Sequence, residues 1–195
     1  VVLWVDANHN LIQVDATGLN GKKLAATAAF ELWRTEKRPV KEKESYQVRA
    51  EQAFVYPDTV LAATANQVGW YHRNPTSRRA KNLELQNLQE IAQSQTDPLL
   101  NRTFGALLRG DKSNWKSTSN TTLTTLAPAA DLSLQVHVLT AITDTPNAWQ
   151  AAITKQADDV EKISTATRLA AHTQWWSDFW NRSWIFIDGD AGPHK

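Results

Sequence analysis

The sequence predicts a mainly β fold: an antiparallel β-sandwich over residues 1–143, followed by a helical linker over residues 144–195. Three observations lead there. Apolar and polar residues alternate in short runs separated by turn-forming clusters, the pattern of half-buried strands. After Thr143 the apolar spacing changes to that of a helix. Gly and Pro number only seven each, and no repeat or low-complexity tract interrupts the pattern. Strands followed by helices suggest an α+β arrangement or separate domains, and roughly eight to ten short strands make a sandwich the natural choice.

Taken in order, Val1–Val5 and Leu11–Asp15 flank the turn-rich Asp6-Ala7-Asn8-His9-Asn10, which is a hairpin signal. Asn20-Gly21 marks the next turn, because both residues tolerate positive φ. From Lys22 the chain alternates, with Leu24, Ala26, Ala28, Phe30 and Leu32 on one face, which predicts one long half-buried strand. The mixed charges from Glu36 to Glu44 read as a solvated loop. Shorter strands are expected at Tyr46–Arg49, Ala53–Tyr56 and Gln67–Arg73.

Leu85, Leu88, Ile91 and Ala92 then fit one helical stripe near residues 80–94, which Asp97-Pro98 ends. Strand character resumes at Thr103–Arg109. Trp115–Ser117 and Thr121–Leu126 are Thr-rich and expected to be exposed. Asp131–Thr143 is the clearest later strand, with Leu132, Leu134, Val136 and Val138 on one face. Thr145-Pro146 is a helix start, a capping hydroxyl followed by a proline whose missing N–H costs nothing at that position. Trp149, Ile153, Gln156, Val160 and Ile163 continue its stripe. Ser164-Thr165 breaks it and caps a second helix running to about Arg182. Trp184–Ile187 reads as a short strand or extended linker.

The bulk composition excludes several classes of function. A hydrophobic content of 42% is enough for a core, and a net charge of +1 leaves no footprint for nucleic acid or an anionic membrane. No apolar run approaches the roughly 18–20 residues of a membrane span. Without Cys there is no disulfide, thiolate metal site or cysteine nucleophile. The five histidines lie at no ligand spacing, so neither a metal nor a cofactor is expected. No nucleophile elbow or phosphate-binding glycine motif occurs. Glycoside hydrolysis needs two facing carboxylates. Glu31, Asp58, Glu84, Glu90, Asp97, Asp111, Asp131 and Asp178 are available, but no context singles out a pair. Met is absent and the first residue is Val, which predicts a mature or partial polypeptide.

Two places have binding character. Trp70, Tyr71, His72, Arg73 and Asn74 bring stacking, hydrogen-bonding and bidentate groups to a strand end before Pro75, a set that suits sugar hydroxyls and C–H faces. The same residues also fit a strand end with one core aromatic and a satisfied histidine, and composition alone favours that reading. Arg102 either binds a ligand or ties down a loop carbonyl, with the second favoured. The other notable stretch runs from His172 to Trp184 and holds four of the nine tryptophans. At helical spacing His172, Trp176, Phe179 and Ser183 share a face, with Trp175 and Trp180 beside them. Each aromatic can bury on the order of 150–250 Å². The cluster, with His172, Arg182 and Trp184, therefore reads as a domain interface.

The run from Ala171 to Asp190 resembles the linker of a group of glycoside hydrolases and phosphorylases in which helices join an N-terminal β-sandwich to an (α/α)6 barrel, as in maltose-phosphorylase-like and α-L-fucosidase-like enzymes. Leu3–Asn8, Glu31–Glu36, Trp70–Asn74, Asp97–Gly105 and Val136–Ala141 resemble bacterial members whose N-terminal sandwich is a domain of unknown function. The resemblance implies a supersandwich-like, incomplete β domain that lacks its opening strands. It implies a barrel, in the same polypeptide or a separate fragment, that holds the catalytic carboxylates, so no catalytic residue is expected here. It also implies an oligosaccharide or polysaccharide substrate whose cleft the sandwich borders, and a periplasmic or secreted location. The alternative is a freestanding carbohydrate-binding or protein-interaction module.

Overall fold

The computed structural model describes residues 1–41 and 54–184. Its strands, in chain order, are β1 (Val2–Val5), β2 (Leu11–Thr17), β3 (Thr27–Ala29), β4 (Arg38–Pro39), β5 (Phe54–Val55), β6 (Thr59–Val60), β7 (Gln67–Arg73), β8 (Arg102–Gly110), β9 (Trp115–Ser119), β10 (Thr122–Thr125) and β11 (Asp131–Ile142). The helices are α1 (Arg79–Leu85), α2 (Gln89–Ser94), α3 (Pro146–Glu161) and α4 (Thr165–Trp180). The fold is mainly β and every strand pair is antiparallel.

A six-stranded sheet in the order β1-β2-β11-β8-β7-β6 is the central layer. A three-stranded sheet, β3-β10-β9, lies on one face and makes the sandwich, while β4 and β5 pair separately. Strand alternation divides the central sheet's side chains between two cores. On the sandwich side Val68, Leu108 and Leu132 meet Trp115 and Leu123 of the smaller sheet, with Leu134, Val136 and Ala16 packed around them. On the helix side Tyr71 and Leu107 meet Trp149 and Ile153 of α3. α3 thus shares a core with β7 and β8.

Local chemistry explains the helix starts. Thr145 accepts the Ala148 N–H at 3.1 Å ahead of Pro146, and Ser164 accepts the Thr167 N–H at 3.1 Å to start α4. Gly105 allows β8 to pass under Trp149, because a Cβ there would sit 2.1 Å from the Trp70 carbonyl oxygen and 2.9 Å from the Trp149 ring.

The structure departs from the sequence pattern at four places. The alternation from Lys22 to Trp33 is real in burial, with Leu24, Ala26, Ala28, Phe30 and Leu32 turned inward, but only Thr27–Ala29 forms a ladder. Its partner β10 is four residues long, and outside that ladder the segment is held by isolated backbone contacts, Leu24 to Ala129, Ala26 to Thr125 and Phe30 to Thr121. Trp115–Ser117 and Thr121–Leu126 form strands, but Trp115, Leu123 and Thr125 are buried, with Thr122 and Thr124 on the opposite, partly exposed face.

The single helix expected near 80–94 is two short ones, broken where Asn87 takes φ 57°. Leu85, Leu88 and Ile91 remain exposed there, so no packed face straightens the pair. Within the charged run, Arg38–Pro39 pairs with Phe54–Val55. The expected strand Tyr46–Arg49 and most of the expected linker Trp184–Ile187 lie outside the described residues.

Candidate functional site

β7 sends alternate side chains to opposite faces, which separates the residues that looked like one site. Tyr71 turns to the helix side, buried against Trp149 with ring centroids 5.5 Å apart. Arg73 donates to Thr103 Oγ1 at 2.9 Å, to the Thr143 carbonyl at 2.8 Å and to the Asp144 carbonyl at 3.2 Å, fixing the chain just ahead of α3. Asn74 bonds through its backbone to Arg102 and Asn101. Arg102 donates Nε to the Pro98 carbonyl at 2.6 Å, which ties down its own loop.

Trp70 and His72 face the sandwich side, and there they gain partners that the sequence did not single out. The strand register puts His72 opposite Phe104 and Trp70 opposite Ala106. Phe104 stands edge-on to Trp70, with centroids 6.3 Å apart at 85°, and 5.2 Å from the His72 ring. Asp58 Oδ1 accepts from His72 Nδ1 at 2.9 Å and from Arg34 Nε at 2.7 Å. The Arg34 guanidinium also lies 5.3 Å over the Phe104 ring. Arg34 and Asp58 are far from His72 in sequence, and only the β6–β7 pairing brings Asp58 beside it.

A second polar cluster lies between the central sheet and the helices. Arg168 on α4 is fully buried and donates Nη2 to Gln13 Oε1 at 2.7 Å and to Thr165 Oγ1 at 3.1 Å. Its Nη1 is 3.6 Å from Asp6 Oδ2, an ion pair too long for a hydrogen bond, and its charge faces the Trp4 ring at 5.7 Å. Asp6 also holds the Asn8 N–H and His9. Arg109 bridges the sheet to α3 through Gln67, Asp158 and Glu161. His137 is enclosed between these cations, and burial first, then the charges of Arg109 and Arg168, push it down to about 4.

One turn further along α4, His172 Nδ1 accepts the Ala7 N–H at 3.2 Å and its ring lies 5.1 Å from Trp4. His172 therefore joins α4 to the β1–β2 turn inside the chain, and Arg182 Nε is spent on the Asp178 carbonyl. Past this anchor the aromatics stack on one another. Trp175 lies parallel to Phe179 at 5.6 Å, and Trp176 to Trp180 at 6.2 Å. Trp175 and Trp176 are each 39% exposed, Trp180 59% and Trp184 62%. Arg168 is the one buried residue of α4.

The family comparison covers nearly the whole of this architecture, from β1 to the end of the aromatic helix: residues 1–185 match the family described as a domain of unknown function (DUF5703). The chain belongs to that family. No curated protein and no solved structure matches it. The DUF5703 match spans both the sandwich and α3–α4.

Proposed function

We propose that this DUF5703 chain is the non-catalytic N-terminal sandwich and linker of a carbohydrate-active enzyme, a glycoside hydrolase. In this reading α4 docks on an (α/α)6 barrel of the same polypeptide or a separate fragment. The sandwich borders the barrel's substrate cleft, which takes an oligosaccharide or polysaccharide, and a periplasmic or secreted location goes with that role. The observation that supports it is the stacked tier Trp175, Trp176, Phe179 and Trp180, on the half of α4 that extends past its anchor at His172. Rings already packed on each other and still exposed form a preordered contact surface of the kind that marks a protein interface. The first half of the helix is tied to the sheet by Arg168.

The test is co-expression of residues 1–195 with the polypeptide encoded beyond Lys195. The two pieces should co-purify, and Trp176→Asp with Trp180→Asp should separate them. A reading frame that stops at Lys195, or pieces that never associate, would refute the proposal. A soluble monomer that binds glycans unaided would favour the freestanding module, for which the half-buried Trp70 and Phe104 on an open sheet face are the supporting observation.

A further inference from the structure

We propose that the cleft between the end of α3, the start of α4 and the central sheet binds a neutral saccharide unit through Arg109, Ser133, Gln135 and Thr165. The inference rests on the carbohydrate reading above for its class of ligand, but not on where α4 docks. A cross-strand row of long polar side chains, Gln13, Gln135, Arg109 and Gln67, runs over the helix-facing side of the sheet. α3 ends at Glu161 and α4 starts at Thr165. Between these helix ends and the sheet lies a cavity of about 430 Å³, lined by Arg109, Ser133, Gln135, Glu161 and Thr165, with Lys112 and Asp111 at the β8–β9 turn. That volume falls in the range of roughly 300–1,000 Å³ typical of small-ligand sites. Ile163 adds an apolar side that suits sugar C–H groups.

The contacts these residues already make leave donors for a ligand. Arg109 is 8% exposed, with Nε on Gln67 and Nη1 on Asp158 and Glu161. Its Nη2 makes no hydrogen bond among the described residues and is not an enclosed orphan, so it reaches the cavity that Arg109 lines. Gln135 spends Oε1 on His137 at 3.0 Å and keeps its amide donors, which are likewise accessible. Ser133 Oγ accepts from Gln13 at 2.7 Å and Thr165 Oγ1 from Arg168 at 3.1 Å, so each hydroxyl has its own proton left to donate. Among the described residues Glu161 Oε2 and Asp111 Oδ2 make no hydrogen bond and stand as acceptors. The lining holds two cations, Arg109 and Lys112, and two carboxylates, Asp111 and Glu161, which leaves no net field to select an ion. A phosphate or uronate would meet the two carboxylates, and an ammonium the two cations. A sugar hydroxyl both donates and accepts, and it matches a neutral wall that offers both.

The test is an NMR titration of the chain with maltotriose, cellotriose, xylotriose and mannotriose in turn, with glucuronate and inorganic phosphate as charged comparators. At least one neutral trisaccharide should saturably shift the backbone amide signals of Lys112, Ser133, Gln135 and Thr165. Arg109→Gln removes the innermost donor and should abolish the shifts. Because Arg109 also ties the sheet to α3, the double variant Lys112→Ala, Glu161→Ala is the safer probe, since both side chains are exposed. It should weaken binding about tenfold or more, equivalent to about 1.4 kcal/mol. No shift with any neutral sugar, tighter binding of glucuronate or phosphate at the same signals, or unchanged affinity in the double variant would overturn the site. Sugar-induced shifts confined to the Trp70 and Phe104 face would also overturn it, while leaving the carbohydrate reading standing. Association through Trp176 and Trp180 is read separately and should be indifferent to the double variant, so failure of one proposal does not mimic failure of the other.

Discussion

Arg168 on α4 and Gln13 on β2 meet across a fully buried seam, Nη2 to Oε1 at 2.7 Å, although 155 residues separate them in sequence. That contact, with Asp6 nearby, fixes where the aromatic helix lies on the sheet. The guanidinium is costly to bury, since its Nε and Nη1 make no hydrogen bond, so its value lies in placement more than in net stability. Arg168→Ala leaves Asp6 buried without its countercharge and should cost about 3–5 kcal/mol, read from urea unfolding. Arg168→Lys should lose much of the same energy, because a point charge cannot reach both Gln13 and Thr165.

His137 gives the chain an acid-sensitive seam. Its folded pKa of about 4 lies below its ordinary 6.5. Between those values the unfolded chain takes up a proton that the folded one refuses, so stability falls as pH drops from 6.5 toward 4. The expected contribution from this residue is a loss of about 2 kcal/mol between pH 7 and pH 5. Urea midpoints at the two pH values should converge in His137→Gln relative to the wild type, and an unchanged pH dependence would remove His137 from the account.

The α3–sheet core should be sensitive to small changes in shape. Trp149 is fully buried, and Trp149→Ala should cost about 3–5 kcal/mol. Gly105→Ala adds one methyl group yet should be as damaging, because its nearest neighbours are backbone atoms of Trp70 and Tyr71 that cannot rotate away. Thermal unfolding of both variants checks this, and a Gly105→Ala protein as stable as the wild type would mean that β7 and β8 are further apart.

The legible part of the fold is the part written in local periodicity. The β1–β2 hairpin, β7, β8, β11 and the caps at Thr145 and Ser164 follow from alternation and capping chemistry alone. What local pattern could not supply was ladder length, which depends on a distant partner, as β3 shows against β10. The candidate site was half legible for the same reason. Trp70 and His72 drew notice as neighbours in sequence, but period-two alternation sends Tyr71 and Arg73 to the other face. Arg34, Asp58 and Phe104 reach His72 only through the β6–β7–β8 pairing. The buried Arg168 reads in sequence as an ordinary polar helix position.

The claim that α4 presents its aromatics to a further domain is tested most directly by oxidative footprinting of Trp175, Trp176, Trp180 and Trp184. The comparison is between residues 1–195 alone and the natural polypeptide extended beyond Lys195. The account predicts ready oxidation of all four rings in the shorter chain and strong protection of Trp176 and Trp180 in the longer one, with the fully buried Trp149 protected in both. Equal oxidation of Trp176 and Trp180 in the two proteins would contradict it.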